Sequence, residues 1–209
     1  SCWDTCRSTS AMFSAVTMWE SPSEQSRRRS PLRVWRLVRL AENGEATVTM
    51  STLYTGLQHD ERAAVMHALG TEDQKKWILK SLSLPSVEIR SFELKESRKG
   101  LPVVEENLTL FVRNACTRRG TRLFLIPNQL NQVRSAPVPN AARKFEFEQS
   151  LHYADVDSIQ FEIPEGYAPE YLPEPARVES SFGGYEALVR QAGCTITYVR
   201  RVVMNKGRD

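Results

Sequence analysis

Residues 34–52 read VWRLVRLAENGEATVTMST. Val34, Trp35, Leu37, Val38 and Leu40 form an apolar run that predicts a first strand. Glu42-Asn43-Gly44-Glu45 follows as a tight turn, because Asn-Gly readily adopts positive φ. Beyond it, Ala46, Val48, Met50 and Thr52 alternate with Thr47, Thr49 and Ser51. A period of two rich in β-branched residues is the mark of a strand. The stretch is therefore a β-hairpin, and the chain around it is read in strands.

Toward the C-terminus the period changes for a short distance. Asp60 is placed to cap a helix over residues 61–69, with Gly70 as its C′ residue. Thr71-Glu72-Asp73-Gln74 has the form of a capping box for a second helix carrying Trp77, Ile78 and Leu82, which ends before Pro85. After Pro85 only strands and turns are expected. Val87 and Ile89 alternate, and Phe92 and Leu94 continue with the parity shifted by one, which a β-bulge would absorb. Val104, Leu108, Leu110 and Val112 share a face, and Leu123 to Ile126 form a short apolar run. Phe145, Phe147, Leu151 and Tyr153 alternate with polar residues, and so do Ile159, Phe161 and Ile163. Pro164-Glu165-Gly166 then turns the chain. Residues 185–189 and 195–203 form a last pair around Ala192-Gly193. The predicted class is mostly β: an antiparallel β-sandwich with a β-hairpin and a short helix pair N-terminal to it.

Residues 1–32 are different. They are rich in Ser and Arg, carry Trp3 and Trp19, and hold neither period. They read as a poorly structured arm, as the remnant of a preceding domain, or as a misread stretch of a gene fragment. Residues 33–84 form a connecting hairpin and helix pair, and residues 85–209 a C-terminal sandwich domain, expected to be truncated at its end.

Of the 209 residues, 41% are hydrophobic and 25% charged, enough for a buried core over most of the length. A net charge of +3 gives no electrostatic case for nucleic acid. The basic run Arg27-Arg28-Arg29 lies among serines without interleaved aromatics and reads as a solvated loop. No run approaches the ~18 apolar residues of a membrane span.

Candidate chemistry is sparse. Cys2 and Cys6 have a C-x3-C spacing with no second ligand pair nearby, so no metal site is expected. Cys116 and Cys194 sit in strand patterns and read as buried thiols; a disulfide between them stays open. His59 and His67 are eight apart, without the H-E-x-x-H arrangement that gathers two ligands and a base on one helix face. His152 alternates outward from a strand. Glu105-Glu106, Glu146/Glu148 and Asp155/Asp157 are carboxylate pairs, the second on a solvated face. The last resembles a turn rather than a calcium loop, since no D-x-D-x-D-G run follows. Gly183-Gly184 is an isolated loop pair, and no phosphate-cradling glycine loop or nucleophile elbow occurs. No cofactor is expected. Phe145, Phe147, Tyr153 and Phe161 alternate with polar residues and are assigned to the core rather than to a glycan platform.

The ordered series Gly120-Thr121-Arg122-Leu123-Phe124-Leu125-Ile126-Pro127-Asn128, Arg143-Lys144-Phe145, Ile163-Pro164-Glu165-Gly166-Tyr167 and Ile196-Thr197-Tyr198-Val199-Arg200-Arg201, with Gly207-Arg208, resembles the C-terminal β-domain of unknown function that follows the catalytic core in bacterial transglutaminase-like proteins. Asn43-Gly44-Glu45-Ala46, Tyr54-Thr55-Gly56 and Glu72-Asp73-Gln74-Lys75-Lys76 resemble the connecting region of the same proteins. The resemblance implies a parent exported to the periplasm or cell surface, with its Cys, His and Asp upstream of this chain. Residues 1–32 would then be the remnant of that core. Trp3-Asp4-Thr5 only faintly echoes the region of the catalytic acid, with the wrong spacing, and Asp4 receives no role.

The expected function is therefore that of a non-catalytic accessory domain supporting an upstream core in the same chain, with no catalytic, cofactor or metal residues of its own. The alternative is a stand-alone module that binds a cell-surface glycan or protein. It would use the loop from Asn128 to Asn140, with Pro137 and Pro139, and the loop from Gly166 to Gly184, with Pro169, Pro173 and Pro175.

Overall fold

A computed structural model of the protein describes residues 30–82, 84, 86–129, 144, 146, 148–150 and 152–208. The hairpin is found where the sequence places it. Strand β1 (Ser30–Leu40) pairs antiparallel with β2 (Ala46–Thr55), and Gly44 takes φ 89 in the turn. A Cβ at Gly44 would stand 2.9 Å from the carbonyl oxygen of Cys116, and the Gly44 oxygen in turn accepts from the amides of Ala115 and Cys116. The turn is thus fastened to the chain that leaves the next strand pair.

Two helices follow, α1 (Leu57–Ala68) and α2 (Thr71–Ser81). Their caps differ from the expectation. Helix α1 begins three residues before Asp60, from Gly56 at φ 59, and Asp60 lies in its first turn bonded to His59. Gly70 is extended and is the N-cap of α2, so Thr71 is already helical and no capping box forms. The Gln74 amide instead donates to the carbonyls of Met66 and Leu69, satisfying acceptors at the end of α1. The Gln74 backbone N–H meanwhile donates to the Gly70 carbonyl at the start of its own helix (2.9 Å).

The remaining strands are β3 (Val87–Ser97), β4 (Val103–Val112), β5 (Thr117–Arg119), β6 (Arg122–Phe124), β7 (Glu148–Gln149), β8 (Tyr153–Glu162), β9 (Ala176–Ser180), β10 (Gly183–Ala192), β11 (Thr195–Met204) and β12 (Gly207–Arg208). Eight of the twelve described strands, β1 and β2 among them, form one sheet in the order β3-β4-β2-β1-β8-β11-β10-β9, and the two-stranded ribbons β5–β6 and β7–β12 stand apart. The protein is mostly β with a helix pair, and the sheet is mixed: β1 and β8 run parallel, from Ser30 opposite Tyr153 to Arg39 opposite Glu162. The hairpin lies in the middle of this sheet, which joins strands from both sides of Pro85. The register of β3 shifts between Ile89 and Ser91, at the place where the sequence parity changes. Asp155 and Asp157 lie within β8 rather than in a turn; Asp157 is fully buried because two guanidinium groups meet it there.

The covering layer consists of the helices, the β5–β6 ribbon and connecting segments. Helix α1 packs over β2 and β4, and α2 over β3. Ile78 of α2 is completely buried and belongs to the same core cluster as Leu108, Leu110 and Val112 of β4 and Val48 and Met50 of β2. Burying one such side chain stabilises by about 1.5–3 kcal/mol, so α2 is held largely by packing. Ile159 and Phe161 continue this core across β8, and Tyr198 carries it to β11. Phe161 and the partly buried Tyr153 occupy the assigned face; Phe145 and Phe147 lie outside the described residues. No helix among the described residues is long and apolar enough to cross a membrane.

Candidate functional site

Three adjacent strands carry charge on the face that is otherwise core. Arg36 shares parity with Val34 and Val38 on β1, Asp157 with Ile159 and Phe161 on β8, and Arg200 with Tyr198 on β11. Arg200 donates from Nε (3.0 Å) and Nη2 (2.5 Å) to Asp157 Oδ2, and Arg36 Nη2 lies 3.2 Å from Oδ1. Arg36 also donates from Nη1 to Asn128 Oδ1 at 3.1 Å. Burial pulls the Arg36 pKa down, and the Asp157 carboxylate partly restores it. Asp155, two residues before, has a buried Oδ1 with no hydrogen-bond partner. Burial, reinforced by Asp157, raises its pKa from 3.8 to about 6.

This cluster fixes the floor of a cleft. From the ribbon β5–β6, turned by Gly120 at φ 59, residues 125–129 descend to the sheet, anchored by Asn128 on Arg36 and by Gln129 Nε2 on the Ala115 carbonyl (3.1 Å). On the other side, the turn closed by Tyr167 N to Pro164 O (3.2 Å) sends residues 167–173 back across β11 and β10. Between the two walls lies an apolar cleft of about 390 Å³, floored by Phe161, Ile163, Val189, Ile196 and Tyr198. Arg122 on one wall pairs with Glu170 on the other at 3.0 Å. Phe124 (53% exposed) and Tyr171 (77%) stand at its rim. Burial and the neighbouring Tyr185 push the Tyr198 hydroxyl up to about 12, so it remains a donor at the cleft floor. The volume is that of a small-ligand or short-peptide site. The second of the two loops named from sequence therefore builds one wall; the first begins at Asn128, and residues 130–140 lie outside the described residues.

The remaining candidates are kept apart. His59 and His67 of α1 both reach Glu96 on β3, at 3.3 and 2.7 Å, and Arg98 joins the same carboxylate at 2.6 Å. Arg98, and after it His67, hold Glu96 down at about 2. Glu96 stands opposite Val104, at the start of β4. His152 is exposed and precedes β8, at this same end of the sheet. Cys116 follows the other end of β4, eight residues from Val104 to Val112, or roughly 26 Å along a strand. It is a free, buried thiol whose pKa burial raises. Cys194, in the β10–β11 turn, lies at the Cys116 end but four strand positions away, about 19 Å, so the two are not paired with one another. Both described cysteines thus stand at one end of the sheet and all three histidines at the other. Cys2, Cys6 and Asp4 lie outside the described residues. Among the described residues no group of His, Cys, Asp and Glu is arranged to hold a metal ion. Glu146 and Glu148 are exposed, as expected of a solvated face.

Sequence reasoning missed a second buried carboxylate. Glu106 on β4, 2% exposed, accepts from the Tyr54 hydroxyl at 2.9 Å and lies 3.3 Å from Arg62 of α1. The Arg62 guanidinium is stacked between Tyr54 and Trp77, 4.4 and 4.3 Å from the ring centres. It joins both helices to the sheet. The signal was present: Arg36, Glu106, Asp157 and Arg200 each occupy the parity of apolar neighbours, where a charge is costly unless paired.

Residues 121–208 match the family DUF3858, described as a domain of unknown function with solved-structure structure. The match begins in the β5–β6 turn and takes in both walls of the cleft, β8, and the last strands. No curated protein and no solved structure matches the chain.

Proposed function

We propose that this chain is a non-catalytic accessory β-domain of an exported bacterial transglutaminase-like protein, supporting a papain-like Cys-His-Asp core encoded upstream of it. The observation that carries the reading is the separation, among the described residues, of the cysteines from the histidines. A cysteine nucleophile needs a base within about 3 Å, whereas Cys116 and the His59–His67 pair are about one strand length apart. The histidines are held by Glu96 in an arrangement that fastens α1 to β3. The reading also rests on the series of residues that resembles the transglutaminase-associated β-domain, which overlaps residues 121–208, the stretch that matches a domain of unknown function. The test is to express the longer parent with and without residues 33–208 and compare the core. A lowered melting temperature with the acyl chemistry retained is the expected result; loss of the acyl chemistry from a core that stays folded without residues 33–208 would refute it.

A second reading is favoured by the cleft. Its size, apolar floor and exposed rim aromatics suit a module that binds a cell-surface glycan ring or an extended peptide. Glycan and peptide arrays probed with the chain, beside its Phe124→Ala and Tyr171→Ser variants, test it. Reproducible binding lost in both variants supports this reading, and silence leaves the supporting role alone.

A further inference from the structure

We infer that β9 is a self-complementary edge through which two copies of this chain associate, extending the sheet of one copy into the other. Among the described residues β9 ends the eight-stranded sheet and pairs with β10 alone, and all five of its residues are exposed. Val178 is 62% exposed. The two-residue turn Ser181-Phe182 closes on the pair Ser180–Gly183, and the closing pair of such a turn is hydrogen-bonded. Alternation then directs the backbone groups of Ser180, Val178 and Ala176 toward β10 and those of Arg177 and Glu179 toward the outer edge. The Val178 oxygen, 3.6 Å from where a Cβ on Gly184 would stand, fits this assignment.

An unpaired row of N–H and C=O groups is a template for another strand. Antiparallel pairing of β9 with its own copy is allowed only in registers where outward groups meet. Centred on Val178, the pairing sets Arg177 opposite Glu179 of the second copy, and Glu179 opposite Arg177. Both residues then exchange backbone hydrogen bonds, and Arg177, which within one copy pairs with its own Glu179 and Glu186, gains the second copy's Glu179 as an opposite-charge cross-strand neighbour on each side of the dyad. Centred on Arg177 or Glu179, like charges would face each other. Charge therefore selects one register, and Val178 meets its copy at the dyad. Two-fold symmetry makes such a contact closed. The other edge is built differently: the register of β3 shifts at its bulge between Ile89 and Ser91, which guards an edge against pairing, whereas β9 is regular over its five residues. Both edges carry local ion pairs, Arg177 with Glu179 on β9 and Glu88 with Arg90 and Glu93 with Lys95 on β3.

Sedimentation velocity of the full chain across micromolar to millimolar concentration tests the inference. Wild type is expected to shift from monomer to dimer. Val178→Lys and Arg177→Glu each set like charges in opposition and are expected to weaken dimerisation at least about tenfold. The exchange variant Arg177→Glu/Glu179→Arg restores complementarity in the same register, and is expected to dimerise as wild type does. Circular dichroism of each variant confirms that the fold is retained. A wild type that stays monomeric throughout, an Arg177→Glu variant that dimerises normally, or an exchange variant that does not would each overturn the inference.

Discussion

Arg200 and Asp157 face each other across β11 and β8 in exact register, joined by two hydrogen bonds to a single carboxylate oxygen in a fully buried position. With Arg36 on the other oxygen, one aspartate holds three neighbouring strands, including the parallel junction of β1 with β8. Replacing Asp157 by Ala leaves two guanidinium groups without their shared anion. Destabilisation of about 3–5 kcal/mol is expected in urea unfolding; a loss under about 1 kcal/mol would show that the cluster is well solvated.

Asp155 gives a pH dependence of defined sign. Its folded pKa of about 6 lies above the ordinary 3.8. Below 3.8 the carboxyl is protonated in both states and costs nothing. As pH rises through this window the unfolded chain ionises first, so stability falls, and the full loss is present above about 6. The loss is roughly 1–2 kcal/mol, allowing for the solvent that the group still meets. Asp155→Asn is expected to be more stable than wild type at pH 7 and equal to it at pH 3.5, by thermal unfolding at each pH.

Gly183 has φ 142, and a Cβ there would lie 1.9 Å from the Val203 carbonyl oxygen. No side chain of a neighbour can move to relieve a clash with backbone. Gly183→Ala is expected to cost at least about 3 kcal/mol, read as a lower urea midpoint. Gly184, with contacts of 3.6 Å and longer, should accept Ala with far less effect.

Arg62 is expected to resist conservative replacement. Lysine keeps the charge beside Glu106 but loses the planar stacking between Tyr54 and Trp77. Arg62→Lys is expected to lose about 1–2 kcal/mol, and Arg62→Ala more, because Glu106 is then left buried without its cation. Equal losses in the two variants would mean that the stacking contributes nothing.

The hairpin, the bulge of β3 and the closing β10–β11 pair were legible because each is local: a period of two, a parity change, or a glycine turn states it directly. The parallel pairing of β1 with β8 was not, since more than a hundred residues separate them and no local signal names a partner. Strand β9 was hidden in a proline-rich loop. The helix caps went astray because glycines at 56 and 70 took positions that Asp60 and Thr71 could have filled. At the site, the 167–173 wall was anticipated as a loop, but the cleft it encloses needs the β5–β6 ribbon opposite. The buried charges were overlooked because a charge within an alternating strand reads as outward, although their parity with Val34, Leu108, Ile159 and Tyr198 marked them as inward.

The most direct test of the proposed supporting role is to read the DNA on both sides of the coding sequence for this chain, in all frames. A core encoding Cys, then His, then Asp, upstream and in continuous or shifted frame, is the predicted result. A stop codon and promoter immediately upstream would contradict it and leave binding in the Phe124–Tyr171 cleft as the function to pursue.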